Sequence, residues 1–201
     1  SIRSVALVGH GGAGKTTLTE ALLLGAGAIK VKGSIEKGST VCDYDPQEKS
    51  AGHSLQSALV NFAHQGVHVH LIDTPGYPDF SGQAMAALAG VDTALVVINA
   101  QTGIELATTR MMNAAAARGL ARMIVINKID AESLDLPRLI SVIQAQFGKH
   151  CLVLDLPAHD RHDMVDVLTQ SGGDSDFDSV ANAHRALIDQ IIEEDETLMA
   201  R

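Results

Sequence analysis

Residues 9–16 read G-H-G-G-A-G-K-T, which fits the spacing G-x-x-x-x-G-K-[ST]. A run this rich in glycine lets the backbone curl around an anion with its N–H groups pointing inward, and a following helix directs its positive dipole end to the same point. Lys15 is expected to reach the β- and γ-phosphates of a nucleotide, and Thr16 to bind the Mg²⁺ that bridges them. The spacing therefore predicts a phosphate-binding loop.

A second pattern, D-T-P-G at residues 73–76, follows the apolar segment 67–72. A carboxylate at the end of a strand can hold a magnesium-bound water, and the N–H of Gly76 can approach a γ-phosphate and lose that contact when the phosphate leaves. The pattern alone is weak evidence, because turns after strands often contain Asp, Pro and Gly. Its place after a phosphate-binding loop makes it informative.

The third pattern, N-K-I-D at residues 127–130, follows another apolar run and has the form N-K-x-D. Asp130, expected to be buried, can accept hydrogen bonds from N1–H and N2–H₂ of guanine together, whereas adenine offers no such pair of donors. Lys128 is expected to lay its stem over the plane of the base. The pattern predicts GTP and GDP as ligands and disfavours an ATP-dependent enzyme.

An alternation of strands and helices would bring these patterns together. Continuous apolar runs predict parallel strands that are buried on both faces, and alanine-rich or helically spaced segments predict the helices between them. We expect an α/β fold with a mostly parallel, doubly wound sheet, helices on both faces, and the ligand at the carboxyl ends of the strands. The expected strands cover residues 5–8, 55–62, 67–72, 93–98 and 123–126, the turn of a hairpin covers 65–66, and helices cover 17–24, 79–90 and 104–118.

The segment 30–50 is rich in Gly, Ser, Lys and Asp and has no clear periodicity, so we expect a long exposed loop. Loops of this length are usually functional or disordered.

The composition limits the location and the partners that the chain could have. The chain has 201 residues, a formal net charge of −9 and 46% hydrophobic residues, with no apolar run long enough to cross a bilayer. The acidic balance argues against direct nucleic-acid binding. Cys42 and Cys151 are far apart without metal-like spacing, as expected in a reducing compartment, and we expect a cytoplasmic protein.

The sequence resembles the GTP-binding domain of translational GTPases, most of all elongation factor G and its elongation-factor-G-like relatives. The resemblance rests on residues 9–18, 73–80 and 127–130, and on Asp43-Tyr44 and Glu48 in a segment like the first switch of the family. It implies a P-loop GTPase fold, Mg²⁺-dependent conversion of GTP to GDP and phosphate, and a ribosomal partner that is engaged through domains absent from this chain.

The chain departs from the family pattern at three places. Gly12 stands where elongation factor G usually has Asp. Residues 51–55 read A-G-H-S-L where the family usually has R-G-I-T-I, so Ser54 must supply the switch hydroxyl to Mg²⁺. Tyr77 replaces the His that orients the attacking water.

Together, the motifs and the resemblance give a set of expected site residues. Tyr77 and Lys15 are expected to be catalytic, and the metal is expected to bind Thr16, Ser54 and Asp73. The expected GTP-binding residues are His10, Gly11, Gly12, Ala13, Gly14, Lys15, Thr16, Thr17, Asp73, Gly76, Asn127, Lys128 and Asp130.

The resemblance also predicts the domain organisation. Residues 1–148 would form a GTP-binding core that lacks its last strand and the S-A-[KL]-type loop that contacts guanine O6, because the Ser-Ala pairs at 50–51 and 57–58 come too early. Residues 149–201 would be the truncated start of an inserted subdomain. This part would contain a hairpin made of 151–157 and 164–168, a linker at 172–179, a helix from Val180 and a solvated acidic run at 193–196.

Two functions remain open at this stage. One is a GTPase that cycles between GTP and GDP, with weak hydrolysis in this isolated chain because a phenol at position 77 aims water differently from an imidazole. The other is a nucleotide-binding regulatory module with little hydrolysis. Turnover with and without ribosomes separates them.

Overall fold

The computed structural model describes residues 1–194, which form two compact units, one from Ser1 to Lys128 and one that begins at Ile129. The boundary expected at residue 148 rests on the family insertion and stays a prediction, as does the missing last strand. Residues 195 and 196 of the acidic run lie outside the described residues.

The first unit is built on a five-stranded sheet with the order β2-β3-β1-β4-β5. Strand β1 is parallel to β3 and to β4, β4 is parallel to β5, and β2 is antiparallel to β3. Ala6, Leu7 and Val8 of the central strand are fully buried, which is why this run is continuously apolar. The strands are β1 Ile2–Val8, β2 Ala58–His64, β3 Val67–Asp73, β4 Thr93–Asn99 and β5 Ala121–Asn127.

Strands β2 and β3 form the expected hairpin around Gln65 and Gly66. Both turn residues have positive φ, 46° and 77°, as a two-residue turn that matches the strand twist requires. Strand β2 begins at Ala58 rather than at the expected residue 55. The backbone N–H groups of Leu55 and Gln56 instead donate to the Glu48 carboxylate, which takes them out of the sheet.

The helices of the first unit lie on both faces of the sheet, which confirms the expected α/β architecture. Helix α1, Lys15–Gly25, packs Leu23 against Leu7 and Leu71 on one face. Helices α3, Ser81–Ala87, and α4, Leu106–Ala117, contact each other on the other face. Strands β3 and β4 lie on opposite sides of β1, so the chain crosses the sheet first in one direction and then in the other. Right-handed crossovers in opposite directions are expected to place their helices on opposite faces.

The expected helix at 79–90 is divided. Short 3-10 turns at Pro78–Phe80 and Leu88–Gly90 flank α3.

The expectation of a long exposed loop at 30–50 is wrong in its second half. Helix α2, Pro46–Ala51, begins after Asp45, whose side chain accepts a hydrogen bond from the backbone of Gln47 at 2.7 Å. A capping Asp followed by Pro is a helix start that depends on local hydrogen bonding rather than on apolar periodicity. The buried residues of this segment are Thr40, Cys42, Asp43 and Glu48.

Glu20 of α1 fixes the first half of the same segment. This carboxylate is fully buried and accepts hydrogen bonds from the backbone N–H groups of Gly33 and Val41, each at 2.6 Å. The segment 33–41 is therefore held to α1 by a charged group rather than by an apolar core.

The second unit contains helix α5, which we did not predict from the sequence. It covers Leu136–Phe147 and begins after Asp135, whose side chain accepts from the backbone of Arg138. Asp before Leu-Pro was a readable start signal for this helix.

The hairpin and the terminal helix are confirmed, although both strands are shorter than expected. Strand β6, Asp155–Ala158, pairs antiparallel with β7, Asp163–Asp166, and helix α6 covers Val180–Glu194. Their shared core contains Leu156, Val167, Val180 and Leu187. Of the helices that the structure describes, none has the length and apolar character needed to cross a membrane.

The Glu20 contacts lead to a stability prediction. Replacing Glu20 with Gln places an amide N–H₂ against one of two backbone donors, and we expect a loss of about 2 kcal/mol in the free energy of unfolding. Trypsin should also cut faster at Lys32 and Lys37. The exposed Glu36→Gln, in the same segment, is the control for urea denaturation and limited proteolysis. Equal stability of the two variants would contradict the role of Glu20.

Candidate functional site

The glycine-rich loop curls around the side-chain amine of Lys15. Nζ of Lys15 donates hydrogen bonds to the carbonyl oxygens of Gly9, at 3.0 Å, and His10, at 2.9 Å. Gly14 precedes helix α1 with φ 95°, and a Cβ on it would collide with the side-chain nitrogen of Asn127. The loop thus holds a buried cation at the N-terminus of a helix, an arrangement that favours an anionic ligand.

Asn127 connects the third sequence pattern to this loop. It ends strand β5, and its Nδ2 donates a hydrogen bond to the carbonyl oxygen of Ala13 at 2.9 Å. The side chain therefore braces the phosphate-binding loop rather than pointing freely into solvent.

A chain of hydroxyl and carboxylate groups lies beside Lys15. Oγ1 of Thr16 donates to Oδ2 of Asp73 at 2.6 Å and lies 3.4 Å from Oγ of Ser54. Ser54 in turn donates to Asp43 at 3.0 Å, and Thr40 donates to the other oxygen of Asp43 at 2.8 Å. The three expected metal ligands, from three separate segments, are thus brought together.

Burial dominates the electrostatics of this cluster. Burial raises the pKa of Asp73 to about 6, although the hydrogen bond from Thr16 and the charge of Lys15 act in the opposite direction. Burial likewise lowers the pKa of Lys15 to about 8, with Asp73 opposing the change. Burial and then the nearby Asp73 raise the pKa of the Cys42 thiol far above its usual range. Neither ion compensates fully for the desolvation of the other.

The oxygens present fit a hard divalent cation. Oδ1 of Asp73 is buried and, within residues 1–194, accepts no hydrogen bond from a nitrogen or oxygen donor, with the weakly donating thiol of Cys42 beside the carboxylate. Such an atom needs an explanation, and a cation with oxygen ligands supplies one. In the described chain, no group of three or more His, Cys, Asp or Glu side chains could hold a metal. The hydroxyls of Thr16 and Ser54 and oxygens from a ligand would therefore complete the coordination.

Gly76 lies directly against the phosphate-binding loop. A Cβ at this position would collide with Nζ of Lys15 and with the backbone nitrogen of Gly11. Two residues earlier, Thr74 donates to the carbonyl oxygen of Leu7 at 2.6 Å, which fixes the turn to strand β1. Because only a glycine fits here, the D-T-P-G turn is seated where a ligand in the loop would meet it.

Tyr77 extends from this turn over Gly11. A Cβ on Gly11 would lie 3.0–3.1 Å from the phenol ring, so the ring covers the space above that glycine. The ring centroid lies 4.6 Å from that of His53, which precedes Ser54, and the side chain of Tyr77 remains 40% exposed. The phenol ring therefore lies between the glycine-rich loop and the segment that carries His53 and Ser54.

The remaining expected residues of the first unit differ in exposure. Ala13 is buried, whereas Gly12 and Thr17 are exposed. His10 is half-buried and its Nε2 lies 3.4 Å from a carboxylate oxygen of Glu105. Gly12 and Ala13 belong to the loop and Thr17 to α1, and the His10 side chain turns toward the start of α4.

The residues expected to recognise guanine lie at the end of β5 and just beyond it. Lys128 is exposed with φ 61°, and Asp130 belongs to the second unit. The expectation that Asp130 is buried is wrong, because its side chain is exposed in the turn that follows the strand. A motif at a strand end fixes where the backbone leaves the sheet, but it does not determine what covers the side chain.

Sequence reasoning missed several contributors to the site. Asp43 and Glu48 were noted as family positions, yet their contacts with Ser54 and with the backbone after it were not expected. Glu20 and His53 were not considered. Glu20 was detectable as a charged residue on the apolar face of α1, but no signal in the sequence indicated the ring contact of His53.

The comparisons with known proteins agree with the geometry. The family model described as "Elongation factor Tu GTP binding domain" matches residues 1–196. The chain is 37% identical over 215 aligned positions to an elongation factor G-like protein of Mycobacterium tuberculosis (strain CDC 1551 / Oshkosh), covering 100% of this chain and 30% of that protein. It is 33% identical to the mitochondrial ribosome-releasing factor 2 of Drosophila ananassae, covering 84% and 23% of the two chains.

A solved structure is also similar. A crystal structure of a protein from Thermus thermophilus matches with a TM-score of 0.84 and 33% identity, covering 98% of this chain and 32% of that one. The chain therefore spans 30%, 23% and 32% of the length of these three proteins, respectively.

The buried charge of Asp73 leads to a second prediction. Replacing Asp73 with Asn removes a carboxylate whose burial outweighs its attraction to Thr16 and Lys15, so without metal and nucleotide the free energy of unfolding should rise by on the order of 1–2 kcal/mol at pH 7. Urea denaturation in EDTA measures it, with the exposed Asp79→Asn as the control. Nucleotide binding in Mg²⁺ should weaken. Destabilisation of the metal-free protein would show that attraction to Lys15 outweighs burial.

Proposed function

The chain belongs to the family of elongation factor Tu GTP-binding domains, and we propose that it is the GTP-binding and GTP-hydrolysing part of an elongation-factor-G-like translation factor that acts on the ribosome. The observation that carries the proposal is the meeting of the glycine-rich loop with the D-T-P-G turn. Thr16 donates to Asp73 at 2.6 Å, and Gly76 packs on Lys15 and Gly11. A phosphate sensor requires these two elements in contact.

The loop would bind the phosphates of GTP. Its backbone N–H groups and the N-terminus of α1 favour the anion, and Lys15 would exchange the carbonyls of Gly9 and His10 for oxygens of the β- and γ-phosphates. A phosphate ligand would also favour the protonated amine, whose pKa burial lowers to about 8. Lys15 thereby stabilises the charge that develops on the phosphates as the terminal phosphate is transferred to water.

Thr16, Ser54 and Asp73 would hold Mg²⁺. The bound ion would neutralise part of the phosphate charge and orient the β- and γ-phosphates. One carboxylate oxygen of Asp73 is buried and receives no strong hydrogen bond, so it could accept one from a metal-bound water. Asp43 accepts a hydrogen bond from the hydroxyl of Ser54 and thereby orients it. Because Ser54 lies in the segment held by Glu20 and Glu48, loss of the terminal phosphate would release a segment that is fixed largely by hydrogen bonds to carboxylates.

Tyr77 would orient the attacking water. Its ring lies over Gly11, next to the position expected for a terminal phosphate, and its hydroxyl can both donate and accept a hydrogen bond. Phosphoryl transfer needs little covalent help from the protein, so the position of the water largely determines the rate. A phenol presents its hydroxyl at a different distance and angle from those of an imidazole nitrogen, and we propose that hydrolysis by this chain alone is slow.

Guanine would be recognised by the end of β5. Asn127 braces the loop through Ala13, Lys128 would lie along the base, and Asp130 would accept the two guanine donors. Adenine lacks the two donors of guanine, so the oxygens of Asp130 would be left without hydrogen bonds if adenine were bound. This loss discriminates against adenine.

The partners are proposed from the relatives. The Drosophila relative is described as a ribosome-releasing factor, and we propose the ribosome as the partner here as well, engaged through segments outside this chain. We also propose a cytoplasmic location for this protein. We keep the proposal that the core lacks its last strand and the loop for guanine O6, and that the acidic chain does not itself bind nucleic acid.

The replacement of His by Tyr at position 77 favours a second candidate function. A module that holds GTP or GDP and hydrolyses little would need every binding contact described above but no oriented water. A phenol whose hydroxyl aims water differently from an imidazole is consistent with that alternative.

Base selectivity tests the proposed ligand. Replacing Asp130 with Asn should weaken GDP binding at least tenfold and favour xanthosine diphosphate, because an amide can donate where the carboxylate only accepts. Fluorescence competition with GDP, XDP and ADP measures it, and the exposed Asp92→Asn serves as the control. An unchanged preference in the Asp130 variant would refute the assignment of this carboxylate.

Hydrolysis tests the proposed role of Tyr77. Replacement by Phe keeps the ring on Gly11 and removes only the hydroxyl, so single-turnover GTP hydrolysis should fall about tenfold or more while GTP affinity stays the same. The exposed Tyr44→Phe is the control, and both variants are measured with and without ribosomes. An unchanged rate for Tyr77→Phe would favour the regulatory module.

A further inference from the structure

Arg161, in the turn between β6 and β7, reaches the backbone on either side of Asp130. One guanidinium nitrogen, Nη1, donates hydrogen bonds to the carbonyl oxygens of Ile129, at 2.8 Å, and of Ala131, at 2.9 Å. Both contacts are partly buried and span about thirty residues of sequence. Charge-assisted bonds from one planar group to two carbonyls fix the peptide units between them more tightly than a single neutral bond would.

The turn that carries Arg161 is held in an unfavourable conformation. His159, Asp160 and Arg161 have φ of 52°, 55° and 67°, so three successive residues with side chains are in the left-handed region. Such a run persists only where the surrounding structure determines it, and strain of this kind is concentrated at functional sites.

Asp176 supplies the support for the turn. Its two carboxylate oxygens accept hydrogen bonds from the backbone nitrogens of Asp160, at 3.2 Å, and Arg161, at 2.8 Å. The backbone of Asp176 is itself fixed, because its N–H donates to the carbonyl oxygen of Pro157 in β6 at 2.9 Å. The hairpin and the segment after it therefore aim one guanidinium at one short piece of backbone.

The piece of backbone that receives Arg161 has little other support. Lys128 and Ser133, at its two ends, also have positive φ, 61° and 58°. The side chain of Asp130 is exposed, and no hydrogen bond to it is found in the part of the chain that the structure describes. The direction of this carboxylate is therefore set by its backbone, and Arg161 is the side chain that holds that backbone on both sides.

We propose that Arg161 is a positioning residue for guanine recognition, which fixes the peptides on either side of Asp130 so that its carboxylate can meet two donors of the base at once. The proposal rests on the proposed function, in which Asp130 reads guanine. It makes the hairpin β6–β7 part of the nucleotide specificity of this protein. Binding that uses two donors together is sensitive to small changes of direction, whereas binding of the phosphates does not involve Asp130.

Dissociation constants for GDP and ADP, measured on the 201-residue chain, test the proposal. Arg161→Met keeps the bulk of the stem and removes both hydrogen bonds, so GDP affinity should fall about tenfold while ADP affinity stays within about twofold. Arg161→Lys keeps a cation with several donors and should restore most of the selectivity. Arg185→Met, at an exposed position of α6, is the matched control and should behave as the wild type.

A double-mutant cycle separates positioning from general loosening of the second unit. In an Asp130→Ala background, Arg161→Met should cause no further loss of GDP affinity, since the group that it positions is gone. Asp176→Asn, which weakens the support of the turn without touching Arg161, should lower the ratio of GDP to ADP affinity in the same direction by a smaller factor. Melting curves followed by circular dichroism report whether each variant remains folded.

The outcomes distinguish this inference from the function on which it rests. A wild-type chain that binds GDP no better than ADP would refute guanine recognition itself. Selective wild-type binding that neither Arg161→Met nor Asp176→Asn changes would overturn only the role of Arg161. An equal loss in the Asp130→Ala background would also overturn it, because the effect would then not pass through Asp130.

Discussion

The burial of Lys15 and Asp73 at the carboxyl ends of β1 and β3 is the constraint on which the rest of the first unit depends. Each ion moves the pKa of the other toward the charged form, yet burial dominates for both. Their attraction therefore does not offset desolvation, and the protein keeps a charge pair that costs stability. A site prepared in this way gains most when a phosphate and a cation arrive, because each ligand compensates one of the buried charges. The cost of burying this charge pair and the affinity that we propose for a charged ligand thus have one physical cause.

Carboxylates organise most of the segment from Gly33 to Gln56, and Cys42 joins it to the apolar core. Glu20 binds its first half, Glu48 binds its last residues, and Asp43 orients the hydroxyl of Ser54. Hydrogen bonds to charged groups are strong in a buried setting, but each depends on a single geometry and is lost as a unit when that geometry changes. A segment fixed by a few such bonds can be ordered in one state and released in another, which a hydrophobic core would not permit so readily.

These details mark the limit of what the sequence could predict. Glycine and lysine spacing at 9–16, the D-T-P-G turn and the strands that precede them were readable, because each depends on backbone conformation or on continuous burial. The carboxylate contacts depend on partners that are distant in the chain, such as Glu20 with Val41, and polar composition alone suggested an exposed loop. The exposure of Asp130 was not predicted for a related reason, since a motif at a strand end does not determine which residues pack over its side chains. Helix α5 is a different case, because a local signal was present in the sequence: Asp135 is a typical N-cap residue and Pro137 is typical of a first helical turn.

The aromatic residue at position 77 is best understood together with its neighbours. Its ring occupies the space above Gly11, where even one added carbon would lie 3.0 Å from it, and it stacks at an angle of 57° against His53. A side chain at position 11 would collide with the phenol, and a smaller side chain at position 53 would remove its ring contact. Gly11, His53 and Tyr77 come from three separate segments, the phosphate-binding loop, the segment before Ser54 and the turn after Asp73, so the ring contacts connect all three around the expected terminal phosphate. Tyr77, at the position where the resemblance leads us to expect His, therefore packs as a unit with Gly11 and His53, and a Tyr77→His substitution would put a smaller imidazole in the space that the phenol fills.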